Sequence, residues 1–396
     1  MSKHLTARYG LIHGTYWMVY ASISGYISLY LLEQGFSNGA IGAAIALAGV
    51  VSALLQPVVA GYADKENSRS LKSINLFVAG LTGLCGLGLC LIRKDKEWSM
   101  LLYALALALL QLQTPLVNGL GVTSINCGEK LNYGVSKSLS SVTFALVSFL
   151  LGRLTAARGG EPVPVAITLC SLLFIGSICL YPTQRAPRQP GQGAGVQGLA
   201  FFKKYPRFTG VLLGCILIYI SHALLNNFTL QIMVTKGGNS SHMGLAMALA
   251  ALSELPTMLL FTKMLQKKNS GFWMKLTGFF FLLKALGSWL APNVAVYCLL
   301  QLTQVLAWAL IRGFGVLHQR RHGPGGCGER PGLLHHDLHP GLRPGLPHRR
   351  THDRPLRCPP YAHIRHRLRR PGYRHRPVFR PGDGGQGRGG ELTVYS

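Results

Sequence analysis

The sequence predicts an all-α membrane protein, with a bundle of six spanning helices, an incomplete second bundle of about four, and an irregular basic tail. Three observations carry this. Asp, Glu, Lys and Arg make up only 13% of the 396 residues, against roughly 25% in a soluble domain. Hydrophobic residues reach 48%. These residues gather into separated runs near the roughly 20 residues a helix needs to cross a bilayer.

The runs fall at 11–33, 39–62, 73–92, 99–121, 135–156, 163–182, 208–234, 242–264, 272–291 and 294–312. Short polar connections join them, with one exception. Residues 183–207 form a basic linker rich in Pro, Gly and Gln, a composition that ends helices. The expected domains are therefore 1–182, the linker 183–207, a second helical part 208–312 and a tail 313–396. With the N-terminus inside, sixteen Lys and Arg lie on inner segments and six on outer ones. That bias predicts a cytoplasmic N-terminus and linker, in a multi-pass protein of a bacterial-type cytoplasmic membrane. The nine cysteines lie mostly inside apolar runs and lack metal-ligand spacing, so they read as small hydrophobes. No cleavable leader is expected, because the first run is long and leads straight into further spans.

The tail is written in a different composition. Residues 317–396 hold sixteen Arg, ten of the fourteen His, much Pro and Gly, and no Lys. A basic tail can bind nucleic acid or anionic lipid, a His-rich one can bind metal, and either can be a solvated disordered segment. Arg, His, Pro and Gly without Lys is also what a GC-rich gene yields when read out of frame. Back-translation from Ile311, read one base later, can encode two further apolar spans. The expectation is a frameshifted C-terminus and a chain lacking its last two helices.

Several motifs carry a family resemblance. Gln56-Pro57 is followed by Gly61-Tyr62-Ala63-Asp64-Lys65 and Arg69. This resembles the signature loop between the second and third helices of the major facilitator superfamily. Ala60 and Asn67 replace two of its glycines. Asn132-Tyr133-Gly134, then Ser136-Lys137, resembles a stretch in the lactose permease-like oligosaccharide/nucleoside:proton symporter group, with Lys137 in place of an Arg. Six helices, a cytoplasmic linker and six helices is the superfamily's plan. The resemblance implies a secondary active transporter that moves a sugar, oligosaccharide or nucleoside by alternating access, coupled to protons. Its gating loop would be Asp64, Lys65 and Arg69. A solvated loop acid is the plainer reading of Asp64, and a positive-inside anchor that of Lys137.

Charges within spans are costly and ask for a reason. Glu254 and Lys284 fall where the symporter group carries functional charges, which would make them the proton-coupling pair. A structural ion pair, or snorkelling of Lys284, is the alternative. The tenth run departs from the group, whose His and Glu stand here as Gln304 and Ala307. Coupling would then rest on Glu254, or the chain would be a facilitator. Amides recur at Asn118, Asn226, Asn227, Gln301 and Gln304, with His222 one turn before Asn226. Together with Lys137 they are the candidate solute-binding residues, although a single amide serves equally to join helices. Trp17, Tyr16, Tyr20, Tyr26 and Tyr30 stripe the first run, for sugar stacking, core packing or an interface belt. Gly10, Gly14 and Gly25 there suit close helix contacts.

No ATP-binding motif is present, and the isolated His, Asp and Glu of the spans do not suggest an enzyme. No cofactor, no metal and no nucleic-acid partner are expected. The expected partners are a small polar solute, a proton and the lipid bilayer, around a monomer. The rival reading is a truncated remnant that does not transport.

Overall fold

A computed structural model describes residues 4–63, 65, 67–92, 95–183, 203, 206–268 and 270–307. The chain divides into a compact unit over Met1–His335 and a second over His336–Ser396; the second, with the proposed frameshift, lies outside the described residues. The regular elements described are helical: α1 Leu5–Ser24, α2 Ile27–Glu33, α3 Asn38–Ala63, α4 Leu71–Leu91, α5 Lys96–Asn126, α6 Tyr133–Arg158 and α7 Pro162–Cys179. After the linker come α8 Pro206–Asn227, α9 Thr229–Thr235, α10 Ser240–Lys267, α11 Ser270–Leu290 and α12 Val294–Leu300, then a 3₁₀ turn over Gln301–Thr303.

Apart from breaks in the first and seventh, the apolar runs are mostly helical where they are described. Seven helices are long and apolar enough to cross a membrane among the described residues, so this is a multi-pass membrane protein. The ends follow from capping chemistry. Ser70, Asn132, Asn239 and Asn293 accept hydrogen bonds from backbone N–H groups of the first turns of α4, α6, α10 and α12, satisfying donors that have no partner within a helix. Lysines do the same for carbonyl ends. Lys72 donates to Cys179 and Tyr181 at the end of α7, Lys96 to Gly35, and Lys236 to Ala291. Pro57, Pro115 and Pro256 stand inside α3, α5 and α10, as neighbouring helices allow in a membrane.

α1 is the hub of the first six spans. Gly10 and Gly14 give it close approach to α6, where added methyl groups would meet Ser136 and Leu139 at 3.6 and 3.3 Å. On its other face, tyrosine hydroxyls donate to carbonyls of α5: Tyr9 to Val117 at 3.3 Å and Tyr16 to Leu110 at 3.1 Å. Tyr103 of α5 returns a bond to Ile23 at 3.0 Å. Tyr9, Tyr16, Tyr26 and Tyr30 are all buried, so most of the aromatic stripe is core.

The first and seventh runs are each broken in two, and broken alike. A long helix, a short break and a seven-residue helix lead to a glycine of positive φ, Gly35 in one case and Gly237 in the other, at +80° and +79°. The next long helix then starts, at Asn38 or Ser240. These landmarks are 202 positions apart in each case, so α8–α10 repeat the element order of α1–α3. The halves meet where α6 crosses α10. Gly152 and Gly244 face each other there, and the Tyr26 hydroxyl donates to the Ser148 carbonyl at 2.5 Å. Gln231 also donates to Asn38 at 2.9 Å, joining α9 to the start of α3.

Candidate functional site

Between the two halves lies a cavity of about 370 Å³. Its walls follow the repeat. Trp17, Tyr20 and Ser24 line it from α1, and Tyr219, His222 and Asn226, each 202 positions later, line it from α8. The spacing of three and four keeps each set on one helix face. Trp17 and Tyr219 are both aromatic, whereas His222 and Asn226 stand where α1 has Tyr20 and Ser24. The Trp17 and Tyr20 rings stand 4.6 Å apart with planes tilted 32°, and Phe144 of α6 lies 6.0 Å from Trp17. Phe144 stands edge-on to Trp17, at 67°, so the three rings form an angled aromatic cluster. From the second half, the Asn226 amide bonds the His222 Nε2 at 2.7 Å, and Asn227, Gln301, Gln304 and Glu254 add further hydrogen-bonding groups to the lining.

Glu254 is 5% exposed and reaches the cavity from α10. Lys284 of α11 is 1% exposed. Gln304 stands between them. Its amide nitrogen donates to Glu254 Oε1 at 3.0 Å, and its amide oxygen accepts from the Lys284 ammonium. The charges are thus joined through a neutral group that meets each at its complementary end. Thr257 donates to the Val305 carbonyl at 2.5 Å and Thr277 to that of Leu306 at 3.1 Å. α10 and α11 therefore each give one charge and one hydroxyl to the stretch 304–306.

Of the expected residues, the cavity gathers Glu254, His222, Asn226, Asn227, Gln301 and Gln304, with Lys284 behind Gln304. Asn118 and Lys137 are half-buried and are not among the described residues lining it. Lys65 and Arg69 are exposed, and Asp64 lies outside the described residues. Trp17 and Tyr20 leave the aromatic stripe to line the site, joined by Phe144 and by Gln111 of α5. Nothing in the sequence separated Phe144 and Gln111 from ordinary span residues. Among the described residues no three His, Cys, Asp or Glu are grouped as metal ligands.

A cavity lined by aromatic rings and amides between two repeated helix sets has the plan of a membrane transporter fold of the major facilitator type. The profile of the MFS_1 like family matches residues 9–345, and the chain belongs to that family. None of the curated proteins matches it in sequence. Among solved structures, it is similar to the nucleoside transporter NupG, with TM-score 0.62 and 12% identity over 81% of this chain and 83% of that one. It is also similar to a D-xylose-proton symporter, with TM-score 0.51 and 13% identity over 77% of this chain and 79% of that one. At such identities the likeness is one of fold.

Proposed function

We propose that the protein is a secondary transporter that binds a small polar solute in the central cavity and moves it by alternating access, coupled to a proton through Glu254. The carrying observation is the mixed lining of the cavity. A ring of the aromatic cluster takes the flat face of a sugar or nucleobase, and the amides take its hydroxyls or polar edge. The nucleoside and xylose transporters of like fold support that solute class. In this reading Asp64, Lys65 and Arg69 form a cytoplasmic gating loop, the N-terminus is cytoplasmic and the working unit is a monomer.

A second reading has an observation of its own. α3 has 17% of its apolar window buried, whereas α10, its counterpart in the repeat, has 44%. Its face at Leu47, Val50, Leu54 and Val58 is exposed. In this reading, since among the described residues no helix plays for α3 the part that α6 plays for α10, the polypeptide is a remnant that does not transport.

Radiolabelled uridine and xylose uptake into proteoliposomes with an imposed pH gradient tests both. Gradient-driven accumulation by this chain is the expected result. Uptake only by a version with the reading frame restored after codon 310 supports the remnant. Uptake that ignores the gradient marks a facilitator, and no uptake by either version removes the transporter reading.

A further inference from the structure

Gln304 can neither take up nor give away a proton at ordinary pH, yet it touches both buried charges of the site. If Glu254 and Lys284 paired directly, they would form a closed ion pair whose attraction in a low-dielectric interior resists any change in either partner. The amide prevents this. Its donor end is fixed on the carboxylate because its acceptor end is fixed on the ammonium, and turning it over would set each end against a like partner. Lys284 is buried behind the amide, whereas Glu254 lines the cavity.

We infer that Gln304 is a positioning residue, whose carboxamide holds Glu254 facing the cavity, separated from Lys284, so that its protonation answers to what occupies the cavity. The inference rests on the transporter reading for its purpose, but its geometry stands without it. Other titratable groups near Glu254 are His222, Tyr20 and Tyr219 across the cavity, and Lys137 on α6, the helix packed along α10. None of these stands between Glu254 and Lys284 as Gln304 does.

The test is an infrared pH titration of the full chain in liposomes, with no solute, following the protonated-carboxyl band that disappears in Glu254→Gln. In Gln304→Met, which keeps the length but makes neither bond, the midpoint of that band shifts by about one pH unit or more. In Thr277→Val, which removes a neighbouring bond of the same stretch, the midpoint stays. An unmoved midpoint in Gln304→Met overturns the inference. So does an equal shift in Thr277→Val, because general loosening would then explain both. Should Gln304→Met not fold, Gln304→Asn, too short to touch both charges, is read in the same way. The titration needs no transport, so failure of uptake and failure of this inference are separate results.

Discussion

Gly152 and Gly244 touch with no side chain between α6 and α10. A methyl group added at Gly244 would lie 2.9 Å from the Gly152 Cα and closer still to the Ser148 carbonyl oxygen. Backbone on both sides leaves nothing flexible to yield, so a larger residue must part the helices. Gly244→Leu is expected to open this end of the cavity. The check is a cysteine at Ser24, which lines the cavity, labelled by a membrane-impermeant thiol reagent. Labelling should rise several-fold from the side where α6 ends and α10 begins; an unchanged rate would show that the crossing does not seal the site.

The same crossing is braced by Tyr26. Tyr26→Phe removes its hydroxyl and leaves the Ser148 carbonyl without that donor. The expected cost is about 1 kcal/mol, read as a lower melting temperature of the purified chain.

Gly35 and Gly237 occupy matching turns in the left-handed region of φ. Around Gly237 there is open space, and at Gly35 an added methyl would meet only the Lys96 ammonium end at 3.6 Å, so backbone strain alone decides. Gly35→Ala and Gly237→Ala should each destabilise by about 1 kcal/mol. Similar losses of thermal stability would support the repeat. By contrast, Gly121→Ala sets a methyl against the Tyr9 ring and should cost about 1–3 kcal/mol by overpacking.

Glu254→Gln leaves Lys284 as a buried cation with no opposing charge nearby through the amide. Breaking a buried pair from one side costs about 3–5 kcal/mol, whereas replacing both partners can be nearly neutral. Glu254→Gln is expected to lower stability and abolish gradient-driven uptake. Glu254→Gln with Lys284→Met should recover stability but not uptake. Recovery of uptake in the double variant would show that neither charge carries coupling.

Much of the fold was legible because the bilayer demands long apolar runs, and the ten runs are mostly helical where described. The breaks at Gly25–Tyr26 and Phe228 were not, since neither contains proline and apolar residues continue across them. The repeat was hidden for a related reason. Tyr20 and His222, or Ser24 and Asn226, share a place but not a chemistry, and only the positive-φ glycines and helix ends align them. In the site, Glu254 and Lys284 stood out as charges in apolar surroundings. The amides did not, because an amide inside a span serves helix contacts or solute equally well until its partners are seen. Gln304 was visible as a replaced histidine, but its bridge depends on α10, α11 and the 3₁₀ turn arriving together.

The paired lining of α1 and α8 has a consequence for how a solute would travel. A cavity with two identical walls would accept its cargo either way round. Here two of the three duplicated positions have diverged, Tyr20 to His222 and Ser24 to Asn226, while Trp17 and Tyr219 are both aromatic, so a bound solute would meet different groups on the two walls and favour one orientation. Were the halves to tilt, such a solute would leave one wall before the other, and the order of release would follow from the two positions at which the copies differ.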